Sequence, residues 1–274
     1  MTTSLKNRTE SYSGSIPEYY DRYLETLLLK PYALKIAGEV EKLKPEKVLE
    51  LSAGTGILTE ALINKLPETT RILATDINPD MLDLAKYKLW TNFNISWQLA
   101  DATDLPYEAN EFDVVLSQFG VMFYKNRHLA YRKIRQILKP GGTFIFNTWG
   151  SIYENFIIEL TERALKRVFP FDTPGFLEIP FGYHSYEQII HDLTIAGFST
   201  FRINTVKLTG YAVNSFEATL GLLQGTPLYT EIIGRNPSLL PMVIDELNEL
   251  ITEHYGRYHI KVPLVALEIQ AEKS

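Results

Sequence analysis

Two glycines, Gly54 and Gly56, stand directly after the apolar run Val48-Leu49-Glu50-Leu51 and just before a helical pattern that opens at Ile57. Glycines at such a junction leave a ligand room to approach the backbone and the positive end of the following helix. Asp76 lies 20 residues past Gly56, at the end of a second apolar run. A carboxylate placed there can accept both hydroxyls of an adenosine ribose. Asp101-Ala102 closes a third apolar run. There an acid can accept the exocyclic amine of adenine while the neighbouring amide meets a ring nitrogen. The chemistry implied is the binding of an adenosine-bearing cofactor.

The elements that must carry these residues follow from periodicity. Five short apolar runs, at 48–51, 72–75, 95–99, 112–116 and 143–147, alternate with helical patterns at 57–66, 79–89 and 128–138. That alternation predicts strand–helix units around a parallel sheet. Pro79 suits a first helical turn, and Lys139-Pro140-Gly141-Gly142 reads as a turn into the fifth strand. Beyond Gly150 come a helix over 154–168, an aromatic and turn-rich stretch to about residue 184, a helix over 186–196 and strands over 201–208 and 265–270. Residues 211–256 are too long for a hairpin loop and read as a helical insertion. The expected organisation is one domain, with an N-terminal lid over about 1–30, a core over about 44–149, 185–210 and 257–274, and caps over about 150–184 and 211–256.

Composition narrows the function classes. A net charge of −6 argues against a nucleic-acid partner, and the absence of cysteine removes disulfides, thiolate catalysis and Cys-based metal sites. The basic residues Lys125, Arg127, Arg132, Lys133, Arg135 and Lys139 read as the solvated face of a helix. No metal site is expected. Without an apolar leader in the first residues or an apolar run long enough to span a bilayer, a cytoplasmic location is the expectation.

Two adenosine-binding activities share this half-site, a nicotinamide-dependent oxidoreductase and a methyltransferase. The dinucleotide fingerprint wants a third small residue where Thr59 stands. The runs Val48–Gly56, Asp76-Ile77-Asn78-Pro79-Asp80-Met81-Leu82, Asp101–Tyr107, Phe112-Asp113-Val114-Val115 and Leu138–Gly142 stand in order over about 105 residues. In them the chain resembles the class I S-adenosylmethionine (SAM) methyltransferases, in particular the branch similar to ubiquinone and menaquinone-biosynthesis C-methyltransferases. It departs at Ser52, where that family often has a glycine. The resemblance implies an α/β fold, a Rossmann-like doubly wound sheet of seven mostly parallel strands with helical cap insertions.

It also implies a SAM site built from Glu50, Ser52, Ala53, Gly54 and Gly56 around the methionine and ribose, with Asp76, Ile77 and Met81 at the ribose. Asp101 and Ala102 would hold the adenine, Ser117 and Gln118 would line the sulfonium side, and Tyr19 and Tyr23 would belong to a lid. The implied activity is methyl transfer to a small acceptor, releasing S-adenosylhomocysteine. Phe169, Phe171, Phe176, Phe181 and Tyr183 in the cap suggest that the acceptor is aromatic or apolar. If it must lose a proton, His184, with Tyr183 and Glu178 behind it, is the candidate base. Asn147 and Trp149 end the fifth strand at the same mouth or pack there. A SAM-binding sensor or scaffold without transfer is the alternative from another class.

Overall fold

The computed structural model describes residues 12–92 and 94–274. The chain divides into two compact units, one gathering the residues up to Pro31 with Gly150–Gly182 and Lys207–Val265, the other Tyr32–Trp149, Tyr183–Val206 and Ala266–Ser274. The lid and both caps thus contribute to one unit.

The second unit holds the sheet that positions the site. Strands β1 (Lys47–Leu51), β2 (Arg71–Asp76), β3 (Ile95–Leu99), β4 (Phe112–Gln118) and β5 (Leu138–Trp149) are joined by β6 (Thr200–Asn214) and β7 (Tyr258–Glu272) in the order β3-β2-β1-β4-β5-β7-β6. The first five pair in parallel, and β7 runs antiparallel to β5, with Thr143 opposite Glu272 and Trp149 opposite Ala266. This is the seven-stranded, doubly wound arrangement that the resemblance implies, and its first five strands are those of the alternating pattern. The strand order reverses between β1 and β4, and such a switch point opens a crevice at the carboxyl ends of the strands. β1 and β4 are apolar and almost wholly buried, as strands covered on both faces must be.

Local signals explain the helices. Helix α2 (Lys30–Leu43) buries Tyr32, Ala33, Ile36, Ala37 and Val40 at helical spacing. Helix α3 (Ile57–Ile63) starts at Gly56, whose left-handed φ of 82° reverses the chain off β1. Helix α4 (Pro79–Lys88) is capped by Asn78, whose side chain accepts the Met81 amide at 3.1 Å. Asn126 does the same for α5 (Arg127–Ile137) through the Leu129 amide.

One expectation fails in shape. Lys139–Gly142 belongs to β5 itself, because Leu138 already pairs with Phe112 before the register shifts to Thr143 opposite Val114. The Gly141 amide donates to the Lys273 carbonyl at 2.7 Å, so the last strand's end makes this an irregular extended stretch and not a reversal.

In the other unit, α1 (Ile16–Tyr19) runs into a π-helical segment (Tyr20–Leu29). The same unit holds α6 (Phe156–Val168), α8 (Ser215–Gln224), α9 (Leu228–Arg235) and α10 (Leu240–Tyr255). Helix α8 packs on the π-helical segment, and α10 packs on both α6 and α8. The insertion over 211–256 is therefore helical for most of its length. The aromatic stretch that follows α6 is chiefly core: Phe169, Phe176 and Phe181 are buried, and Phe171 alone is fully exposed. Helix α7 (Tyr186–Ile195) returns the chain to the sheet unit, where it packs on α5.

Candidate cofactor site

The turn after β1 is held by the end of β2. Asp76 is buried, and its Oδ2 accepts the Gly54 amide at 2.8 Å while Oδ1 accepts the Asn78 amide at 2.8 Å. A third backbone bond comes from Ile77. Burial raises the Asp76 carboxyl above the usual range, and the three amides oppose that rise. A carboxylate offers about four lone-pair sites. One therefore remains, where the sequence suggests an acid free to take both ribose hydroxyls.

Glu50 lies on β1 beneath this turn, fully enclosed. Thr59 Oγ1 donates to its Oε2 at 2.7 Å. Desolvation, with a smaller contribution from the Asp76 charge, pushes the Glu50 carboxyl up to about 8. Thr59, which sequence reasoning used only against a dinucleotide, is thus the partner of the most deeply buried acid in the site. Spacing alone carries its signal, one helical turn into α3 from Gly56. Met81 is buried beneath the turn, and a Cβ on Gly54 would come 3.5 Å from its Cε. Ala53 is buried and donates its amide to the Thr75 carbonyl at 2.9 Å. Ile77 is half-exposed at the rim.

At the end of β3, Asp101 is exposed and its Oδ1 accepts both the amide and the hydroxyl of Thr103, at 2.8 and 2.7 Å. Among the described residues Oδ2 has no partner, so the carboxylate keeps an acceptor for an incoming amine. Ala102 beside it is buried.

The fourth side is the turn after β4. Ser117 is buried, and its Oγ lies 3.1 Å from the Tyr124 hydroxyl, which also bonds to Ser52. A Cβ on Gly120 would fall 2.5 Å from Ser52 Cβ and 2.7 Å from Ser117 Oγ. The turns after β1 and β4 therefore touch, and only glycine fits between them. Both turns hold a non-glycine residue in the left-handed region, Ser52 at φ 58° and Phe119 at φ 49°. Asn147 holds the second: its Oδ1 accepts the Phe119 amide at 2.8 Å. Phe119 then stacks on Trp149 with ring centroids 3.8 Å apart, and Tyr32 meets both rings edge-on. Gln118 is half-buried beside them.

Burial pushes the Tyr124 hydroxyl up to about 12, and the charges of Asp76 and Asp101 add to that rise. Its hydroxyl therefore joins the turns after β1 and β4. Sequence reasoning missed Tyr124, which follows a short 3₁₀ turn (Val121–Phe123) and no familiar spacing.

The candidate bases divide. Tyr183 is buried, donates to Asp192 Oδ2 at 2.8 Å and lies 3.3 Å from the Tyr131 hydroxyl, while Arg127 covers its ring. Burial drives its phenol well above the usual range. Tyr183 thus ties α5 to α7 through Tyr131 and Asp192. His184 is exposed in the same unit. Tyr19 and Tyr23 belong to the helical unit, with ring centroids 5.7 Å apart, and so does Glu178.

The site thus gathers a buried acid at the end of β2, an exposed acid after β3 and neutral hydroxyls at the end of β4. Comparison with known proteins agrees. Residues 49–146 match the family model described as a methyltransferase domain. The match runs from β1 through most of β5. Among curated proteins, the ubiquinone/menaquinone biosynthesis C-methyltransferase of Shewanella sp. is 32% identical over 119 residues, covering 42% of this chain and 46% of the relative. The matched stretch spans under half of that relative's length. Of solved structures, Haemonchus contortus phosphoethanolamine N-methyltransferase 2 in complex with SAM superposes with a TM-score of 0.60 at 16% identity, covering 99% of this chain and 60% of that one. The YcgJ protein of Bacillus subtilis gives 0.57 at 16%, covering 88% and 98%. At such identities these structures speak for the methyltransferase fold.

Proposed function

We propose that the chain binds SAM and transfers its methyl group to a small, aromatic or apolar acceptor, leaving S-adenosylhomocysteine. The observation that carries the reading is the ring of groups at the carboxyl ends of β1 to β4, with Asp76 linked to the Gly54 amide and Asp101 keeping an open oxygen. Asp76, Ile77 and Met81 would hold the ribose, Asp101 and Ala102 the adenine, and Glu50, Ser52, Ala53, Gly54 and Gly56 the methionine end. Ser117 and Gln118 would line the sulfonium side. Tyr124 joins them through its bond to Ser117.

The cofactor supplies a sulfonium carbon already activated for in-line displacement, so the chain's task is to orient the acceptor and exclude water. His184 stays the candidate base for an acceptor that must lose a proton. The aromatic character of the acceptor rests on the Phe119–Trp149 stack with Tyr32 at the end of β4 and β5, and on the quinone pathway named for the curated relative. No helix among the described residues is long and apolar enough to cross a membrane.

The test is a thermal-shift comparison. SAM is expected to raise the melting temperature and NAD to leave it unchanged, with the SAM shift lost in Asp76→Ala. A shift with NAD and none with SAM would replace this reading by an oxidoreductase. A SAM shift without any S-adenosylhomocysteine formed over a panel of phenols and quinols would favour a SAM-binding sensor.

A further inference from the structure

Strand β3 ends the sheet, paired on one side only, with β2. Bonds just beyond its two ends mark its inner side: the Ile72 amide donates to the Asn94 carbonyl at 3.0 Å, and the Ala100 amide donates to the Asp76 carbonyl at 3.0 Å. Backbone groups in a parallel ladder alternate in direction. Residues 94, 96, 98 and 100 therefore face β2, and Ile95, Trp97 and Leu99 turn their amides and carbonyls outward. Natural edges are protected by charged side chains, proline or bulges. Ile95-Ser96-Trp97-Gln98-Leu99 has none of these. The surroundings are apolar as well, since Tyr87 is 79% exposed, Trp90 76% and Leu99 54%.

We infer that this edge is where two copies of the chain join, by antiparallel pairing of β3 with its own counterpart about a twofold axis at Trp97. That register sets Ile95 opposite Leu99 and Ser96 opposite Gln98, so the three outward residues of one copy meet the three outward residues of the other. Each amide then finds a carbonyl, and no like charges are opposed along the strand. Charge at its two ends selects the direction. The last turn of α4, just before β3, carries Lys86 and Lys88, whereas Asp101 and Asp104 follow it. Antiparallel pairing brings the basic end of one copy to the acidic end of the other, and parallel pairing would set like beside like. Trp90 and Tyr87 then gain cover on the flank.

The experiment takes advantage of a chain without cysteine. Light scattering behind size exclusion is expected to give about twice the 31.3 kDa chain mass. Trp90→Lys and Leu99→Lys, both at exposed positions, should each weaken association about tenfold while leaving the SAM-induced thermal shift in place. Paired residues in this register lie about 5.5 Å apart between Cα atoms, within disulfide range. The double variant Ile95→Cys with Leu99→Cys should therefore cross-link on oxidation, and Ile95→Cys alone should not. A monomer at every concentration reached, a dimer indifferent to both lysines, or cross-linking by Ile95→Cys alone would overturn the inference. The cysteine pair decides the matter even if a lysine variant fails to fold.

Discussion

The turns after β1 and β4 meet at Ser52 and Gly120, yet they are held in different ways. The first leans on two buried acids, Glu50 and Asp76, whose charged forms burial opposes. The second leans on neutral groups, the Asn147 amide, the Ser117 and Tyr124 hydroxyls and an aromatic stack. Both keep a side chain in the left-handed region, where most residues are disfavoured. Strain of that kind persists only where the surroundings over-determine it, and functional sites are where it collects. Proton concentration should therefore act on the first turn and leave the second untouched.

The broadest effect, on stability and on the SAM-induced shift together, should come from breaking the contact between them. Gly120→Ala places a methyl against Ser52 and Ser117, and the turns must separate; we expect a loss of about 3 kcal/mol in denaturant unfolding together with the SAM-induced shift. Full retention of both would show that the turns are independent.

Glu50→Gln sharpens the contrast. The folded carboxyl holds its proton up to about 8 whereas an ordinary one releases it near 4.5, so between these values the folded state binds more protons and stability falls as pH rises. The wild type should lose a few kcal/mol, at most about 4, from pH 5 to pH 9 through this group. The glutamine variant should lack that slope, and parallel stability curves for the two proteins would rule the buried acid out as its cause. Smallest of the three, Asn147→Ala removes the acceptor of the Phe119 amide and should cost about 1–3 kcal/mol, equally at pH 5 and pH 9.

Much of the first turn can be read in the chain itself, because glycines, a strand-end acid and fixed spacings punctuate it. Gly54, Gly56, Asp76 and Asp101 all fall at the ends of strands that periodicity places correctly. The second turn has no such punctuation. Phe119 is a bulky residue in a conformation usually left to glycine, and its support, Asn147, arrives 28 residues later across a strand pair. Tyr124 likewise joins Ser117 and Ser52 through the fold and not through proximity in the chain. Tyr183 shows the opposite case. Beside a histidine in an aromatic stretch it invites a chemical role, but packing of α7 on α5 gives its hydroxyl to Asp192. The lid and caps stay the least legible, since helical periodicity foretells helices and not which of them pack together.

Asp76 also changes what an affinity would measure if the proposed site holds a ribose. Its carboxylate is already the splint of the glycine turn, so a hydroxyl that needs the oxygen held by Gly54 would enter by exchange. Binding then reports a difference between two bonds, and a ligand that leaves tears nothing open, because the amide is waiting to return. A nucleoside with only one of the two ribose hydroxyls should give up little, since a single acceptor site stood ready for it.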